Sequence, residues 1–197
     1  MEQRKTERIK RAEEILRASS SALNQAAATL PAVIADVVEA VVASLRAGGK
    51  VLLCGNGGSA ADAQHLAAEL AGRLRMERDG LPALALTVNS SVLTAVSNDY
   101  GYASVFARQV EALGREADVL VGISTSGSSE NVVEALRTAR AAGMVTIGLL
   151  GSGGGSMEEY CDHVIRAPSD DTQRIQEVHI AVGHAICEQI EHELFDR

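Results

Sequence analysis

The sequence predicts an α/β fold: a three-layer sandwich around a parallel, five-stranded, doubly wound sheet, with two further helices at the N-terminus. Three observations predict it. From Lys50 onward, short apolar runs of strand length alternate with helical patterns; strands joined by helical crossovers make a parallel sheet covered on both faces. The first run, Val51-Leu52-Leu53-Cys54, ends in Gly55-Asn56-Gly57-Gly58-Ser59, too rich in glycine for strand or helix. A helix follows at once, in the order that sets free backbone N–H groups beside a sheet edge.

The elements read in order. Glu2 to about Ala28 is helical, with Ile9, Ala12, Ile15 and Leu16 on one side and Arg, Glu and Lys on the other. Pro31 suits the first turn of a second helix, which runs to Ala47 and is stopped by Gly48-Gly49. This N-terminal helical hairpin, residues 1–48, is read as a surface for oligomer packing rather than as a cap on the sheet. Strands follow at Val51–Cys54, Ala83–Thr87, Val119–Ile123, Val145–Leu149 and His163–Ala167. Between them lie helices at Ala60–Gly72, about Val92–Val96, Tyr102–Leu113, Glu130–Ala142 and a short Met157–Tyr160, and a last helix runs from Thr172 to about Leu194. The chain reads as one domain, 1–197, with its α/β core over 49–197 and no internal repeat.

Composition narrows the function classes. With 46% hydrophobic but 3% aromatic residues, the core must be aliphatic. Lys and Arg number 18 against 26 Asp and Glu, a net charge of −8, which argues against a nucleic-acid or anionic-membrane partner. Any bound anion must be held by local dipoles. No run of about 18 apolar residues is present, and Met1-Glu2-Gln3-Arg4-Lys5 leads into a charged helix instead of a signal peptide, so a cytoplasmic location is expected. Cys54, Cys161 and Cys187 are scattered and unpaired in sequence, which disfavours a disulfide framework or a zinc knuckle. For Cys54, burial as a structural residue is the expectation.

In a doubly wound sheet, ligands sit beyond the carboxyl ends of the strands, so the loops after strands carry the chemistry. After the third strand comes Ser124-Thr125-Ser126-Gly127-Ser128-Ser129, five hydroxyls directly ahead of a helix. Hydroxyl donors with free N–H groups at a helix start make a neutral cradle for phosphate. One serine would serve as an N-cap and leave the other four unexplained. This is not a Walker A loop, and the Gly55–Gly58 turn is not a dinucleotide fingerprint, because no acidic residue ends the next strand near Thr87. The loop after the fourth strand, Gly151-Ser152-Gly153-Gly154-Gly155, reads as a flexible connection.

His65 and Glu69 stand four residues apart on the helix that follows the glycine turn, hence on one face. On the last helix Ile175, Val178, His179, Val182, Ile186 and Ile190 form an apolar stripe, leaving Gln176 and His184 off its centre. Taken alone, Gln176 reads as an ordinary helix polar residue and His184 as a satisfied core histidine. Their separation is not a metal signature, since eight residues is about 12 Å of helix rise. One ion bound by both would have to lie between extended side chains or draw them from different subunits. His163 and His192 read as surface or structural.

Four segments in this order and at these separations, CGNGGSAADAQH, SNDYGY, ISTSGSSENV and RIQEVHIAVGH, resemble the phosphoheptose isomerases of the sugar isomerase (SIS) domain superfamily. The resemblance runs from about Lys50 to the C-terminus, and the two N-terminal helices agree with that family's layout. It implies the SIS fold and conversion of sedoheptulose 7-phosphate to D-glycero-D-manno-heptose 7-phosphate, for ADP-heptose and the lipopolysaccharide core. It implies that Asn56, Gly57, Gly58, Glu69, Asn98, Asp99, Ser124, Thr125, Ser126, Ser129 and Gln176 contact substrate. It further implies Zn2+ on His65, Glu69, Gln176 and His184, with Glu69 and His184 the acid/base pair, in a homotetramer whose active sites lie between subunits.

The resemblance leaves two rivals. A non-catalytic SIS regulator of the replication-initiator-associating type is disfavoured because this chain has both Glu69 and His184. Another sugar-phosphate isomerase, such as an arabinose 5-phosphate isomerase, usually carries regulatory domains for which this chain has no room. Asn89 and Ser97 depart from the expected Asp and Gly, and both border the Asn98-Asp99 segment, read as a loop.

Overall fold

The computed structural model describes residues 1–196. Two helices, α1 (Glu2–Thr29) and α2 (Pro31–Arg46), precede the alternating region, with Pro31 in the first turn of α2 where its missing N–H costs nothing. The strands are β1 (Val51–Gly55), β2 (Ala83–Ala85), β3 (Val119–Ser124), β4 (Val145–Leu150) and β5 (His163–Arg166). The helices among and after them are α3 (Gly58–Ala71), α4 (Ser90–Tyr100), α5 (Ala107–Leu113), α6 (Glu130–Ala141) and α7 (Thr172–Phe195), with 3-10 turns at Tyr102–Ser104 and Ser156–Tyr160. Among the described residues, no single helix is long and apolar enough to cross a membrane.

All five strands are parallel, in the order β2-β1-β3-β4-β5. From β1 the chain winds outward to β2, and from β3 it winds the other way to β4 and β5. The two windings part between β1 and β3, where the sheet opens a crevice at its carboxyl end. Val51 pairs with Val119 and Gly55 with Ile123, so the turn after β1 and the loop after β3 emerge side by side.

Successive strand residues face opposite layers. Leu53, Val121 and Ile147 pack with α2, α3 and α7 in one core, while Leu52, Leu120 and Leu150 join Phe106, Val132 and Leu136 in the other. Aliphatic residues fill both, as a composition poor in aromatics requires, each contributing about 1.5–3 kcal/mol on burial.

The structure departs from the sequence reading at several points. The chain turns by 69° between α1 and α2, so the pair is an elbow and not a hairpin. Ala22 and Ala26 are the residues α1 buries, and Ile9, Ile15 and Leu16 stay exposed. The helix expected near Val92–Val96 runs from Ser90 to Tyr100: Asn89 Oδ1 accepts the Val92 N–H at 3.1 Å and Gly101, with φ of 86°, ends it. Asn98 and Asp99 therefore stand in a last helical turn, not a loop. The single helix expected over Tyr102–Leu113 is broken, with Val105 and Phe106 dropping into the core between a 3-10 turn and α5.

Candidate functional site

Two carboxyl-end segments meet across the crevice. Gly57, at φ of 55°, is the N-cap of α3, a conformation open to glycine. At Gly58 an added Cβ would stand 2.5 Å from Gln176 Nε2, so the α7 amide packs directly on this turn. The side chain of Asn56 forms a reciprocal amide pair with Asn131 of α6, donating from Nδ2 at 2.8 Å and accepting at Oδ1 at 2.9 Å. Tyr102 donates its hydroxyl to the same Oδ1 at 2.9 Å. These bonds tie the turn after β1 to the start of α6. They fill the Oδ1 acceptor of Asn56 and use one of its two Nδ2 hydrogens, leaving one side-chain N–H and the backbone for a ligand.

On the β3 side, Ser124 is buried and its hydroxyl lies 2.8 Å from that of Ser129 and 3.3 Å from that of Ser126. Ser129 is the N-cap of α6 but makes no side-chain cap bond. Its hydroxyl is committed to the loop instead, against the simple N-cap alternative. The first N–H groups of α6 point where a helix leaves donors without intrahelical acceptors. Thr125, Ser126 and Ser128 line a cavity of about 300 Å³ together with Ser169 and Asp170.

The glycine loop expected to be a flexible connection forms the opposite wall of this cavity. Gly154 donates to Gly151 O, Ser152 to Ser169 O and Met157 to Gly127 O. A Cβ at Gly151 would stand 2.5 Å from Thr125 O, so close backbone approach is why glycine recurs there.

The second group lies on α3 and α7, which run side by side in the same direction. At Gly183 a Cβ would stand 2.5 Å from Leu66 Cδ2, so the missing side chain sets the close approach. Just beyond it His65 Nε2 and His184 Nε2 are 2.9 Å apart, and Glu69 Oε1 lies 3.2 Å from His65 Nε2. Ligand atoms of His65, Glu69 and His184 all fall within 4.8 Å of one another. The side chain of Glu69 is 18% exposed, and its Oε2 is buried with no hydrogen-bond partner among the described residues. A carboxylate oxygen buried without a donor costs about 1–3 kcal/mol or more. Two imidazole nitrogens and one carboxylate, with an oxygen of that carboxylate left orphaned, form a donor set suited to a divalent cation such as Zn2+.

Not all candidate residues join this cluster. Gln176 is held at Gly58, two helical turns from His184. Asn98 and Asp99 are exposed on α4, with Asn98 Nδ2 donating to Asp99 Oδ1 at 2.8 Å.

Other residues were not singled out by sequence. Asp62, one turn before His65 on α3, has an unpartnered Oδ2. Burial raises its pKa, partly opposed by His65 and His184. The i, i+3 spacing of Asp62 and His65 was the available signal. Asn131 and Tyr102, inside quoted motifs, carried no sign of their role as a clamp.

The remaining candidates are structural. All three cysteines are free, and burial, their first cause of shift, pushes each thiol up to about 12. His192 pairs with Asp196 on the surface at 2.8 Å, and His163 opens β5 opposite Ile147.

Comparison with known proteins places this geometry. The family model described as SIS domain matches residues 11–151. A curated phosphoheptose isomerase of a Roseiflexus species is 58% identical over 163 residues, 83% of each chain. Another, from Rhodospirillum rubrum, is 61% identical over 158 residues, 80% of this chain and 84% of its own. The solved structure of a phosphoheptose isomerase from Francisella tularensis superposes with a TM-score of 0.91 at 41% identity, covering 93% of this chain and 98% of that one. The chain belongs to the SIS domain family, among its phosphoheptose isomerases, and is an aldose–ketose isomerase.

Proposed function

We propose that the substrate is sedoheptulose 7-phosphate and the product D-glycero-D-manno-heptose 7-phosphate, formed through an enediol in the cytoplasm to supply ADP-heptose for the lipopolysaccharide core. The observation that carries this reading is the convergence of His65, Glu69 and His184, which supplies acid, base and cation ligands in one place. The relatives named phosphoheptose isomerase support the heptose assignment. A non-catalytic regulator would have no use for the convergence.

Isomerisation moves a proton between C1 and C2, so one group must take and return it while another serves the oxygens. Glu69 is the base in this reading. Its carboxylate is held on a helix with one oxygen toward His65 and the other free of donors. His184 is the acid, standing at the same point to protonate the carbonyl or ring oxygen from the ring nitrogen that does not hold the cation. The phosphate rests on Ser124, Thr125, Ser126 and Ser129 and on the N-terminus of α6, a cradle without net positive charge, as an acidic chain requires. Gly57 and Gly58 let the sugar approach the backbone, Gln176 lies beside them for a hydroxyl, and Asn98 and Asp99 are open to solvent for contact with substrate.

His65, Glu69 and His184 would hold one Zn2+, which when bound polarises the sugar carbonyl as a Lewis acid. Gln176 would complete the shell either with its side chain extended toward the cluster or from a neighbouring subunit, because within one chain about 12 Å of helix rise separates it from His184. A homotetramer with active sites between subunits accommodates the second arrangement. Its support here is the exposed apolar row of α1, where Ile9, Leu16 and Leu23 recur every seven residues. A half-exposed His65, at 49%, agrees with a site that a second subunit covers.

The test is a coupled assay on a panel of pentose, hexose and heptose phosphates, with and without chelator. Turnover of sedoheptulose 7-phosphate above the others, lost with chelator and restored by Zn2+, is the expected result. Activity confined to a pentose phosphate would overturn the substrate.

A further inference from the structure

Between α3 and β2 the chain buries an arginine that the chemistry above does not use. The side chains of Arg78 and of Glu191 on α7 are each 1% exposed and pair at 2.9 Å, Arg78 Nε donating to Glu191 Oε1. The rest of the guanidinium faces the C-terminus of α3. Nη1 donates to Leu70 O at 2.8 Å, Gly72 O at 3.1 Å and Asp79 O at 3.0 Å, and Nη2 to the carbonyl of Glu69 itself at 2.9 Å. Glu191 accepts three backbone N–H bonds from the segment leaving α3: Leu74 at 2.8 Å, Arg75 at 2.9 Å and Met76 at 3.2 Å. Arg75 also pairs with Glu188, one turn before Glu191.

These bonds fasten one end of α3 to α7, and the geometry relates that fastening to the cluster. His184, Glu188 and Glu191 are spaced i, i+4 and i+7, so α7 presents them to α3 along one stripe. Glu69 lies one residue from Leu70 at the point where Arg78 grips the helix. A slip of α3 along α7 would therefore move Glu69 and His65 against His184. Stability alone explains the arrangement poorly, because a buried ion pair is commonly matched or exceeded in stability by apolar residues of similar volume. What such a pair provides over an apolar contact is register, because donors and acceptors fit at one setting.

We infer that Arg78 and Glu191 are positioning residues that set the register of α3 against α7 and thereby hold His65 and Glu69 against His184. The inference rests on reading that cluster as the metal and proton-transfer site, and it adds two residues outside all the motifs that carry the family resemblance.

The test uses the full-length chain with Arg78→Lys, Glu191→Gln and the double variant Arg78→Met/Glu191→Gln. The lysine keeps its charge beside Glu191 but cannot span four carbonyls, and the glutamine keeps the shape of Glu191 without its charge. Melting temperature and oligomer size establish folding. Four further readouts are then taken: the zinc Kd of the metal-free chain against a chromophoric chelator, kcat, KM, and the Hε1 resonances of His65 and His184 without metal. Expected are a melting temperature within a few degrees of the parent for Arg78→Lys, which keeps the charge pair, and a larger drop for Glu191→Gln, which leaves Arg78 buried and unpaired. In every variant that still folds, zinc binding and kcat are each weakened tenfold or more, KM stays within twofold and the Hε1 resonances are displaced. Folded variants with the parent's zinc Kd, kcat and histidine resonances would overturn the inference. Should the double variant fail to fold, the same criteria apply to Arg78→Lys. Should the parent chain neither bind zinc nor isomerise, the reading of the cluster fails, and the resonances decide this inference by themselves: unmoved, they refute it.

Discussion

His65 Nε2 and His184 Nε2 meet at 2.9 Å although the residues are 119 positions apart, one on α3 and one on α7. The rings stand edge to face with centroids 5.0 Å apart, so their nitrogens, and not their faces, are brought together. Only one of the two nitrogens can carry a hydrogen in such a contact. With Glu69 Oε1 3.2 Å from His65, the pair can trade a proton or share a cation without moving either helix.

Replacing Glu69 by Gln tests that arrangement most directly. The amide keeps the shape but cannot act as a base, so kcat should fall by about 10²–10⁴-fold with KM changed far less. Steady-state kinetics on zinc-loaded protein would show it, and near-normal turnover would refute the assignment of the base. His184→Ala should lower both kcat and bound zinc, the latter read by metal analysis of protein purified without chelator.

Gly183 sets the spacing of the same two helices. Alanine there gains about 1 kcal/mol in helix propensity, while its Cβ meets Leu66 Cδ2 at 2.5 Å, an overpacking that costs about 1–3 kcal/mol. The balance runs from about zero to about 2 kcal/mol of destabilisation, so Gly183→Ala should lower the urea midpoint modestly while spreading α3 from α7. Zinc affinity and kcat should then drop by about tenfold. A variant with both unchanged would mean that Leu66 rotates aside and the helices stay put.

How far these relations could be read beforehand follows from their range along the chain. Five strands and their helices were legible because each announces itself within ten or so residues, as in Val119–Ile123 followed by a serine loop. His65 and Glu69 were legible as a pair for the same reason. The closeness of His184 to them depends on how α7 lies on α3, which Gly183 and Leu66 decide through a contact with no local signal. Asn56 with Asn131 and Arg78 with Glu191 are likewise bonds across 75 and 113 positions. The exposure of Ile9 and Leu16 had no local signal either, since an apolar stripe reads alike whether it faces the chain's own core or solvent.

The hydroxyl loop yields a prediction that separates binding from capping. A hydrogen bond to a charged group contributes about 1.5–3 kcal/mol, so Ser129→Ala should raise KM about tenfold or more with kcat retained. As a helix cap Ser129 would cost about 1 kcal/mol of stability when removed, but its side chain makes no cap bond. What its removal costs the fold is the bond to Ser124, about 0.5–1.5 kcal/mol, so the melting temperature should fall by only a few degrees. A drop in stability with unchanged KM would confine Ser129 to a structural role.

His179 predicts how the fold answers acid. It is fully buried on α7, and its Nε2–H donates to Leu150 O at 2.9 Å at the end of β4, while Nδ1 has no partner among the described residues. Burial lowers its pKa, partly opposed by the bond to Leu150. Below the ordinary histidine value of about 6.5 the unfolded chain therefore takes up a proton that the folded chain refuses. Stability then rises with pH: its contribution is complete above about 6.5 and is lost as pH falls from there toward the folded value, by at most about 1.4 kcal/mol per pH unit. Urea unfolding at pH 7.5 and 5.5 should show a larger loss for the parent than for His179→Asn, which has no titrating group at this position. The variant will be less stable at the higher pH for want of the fit to Leu150, so the difference between the two pH values carries the prediction. Equal differences in parent and variant would show that His179 accepts its proton in the folded state as readily as in the unfolded one.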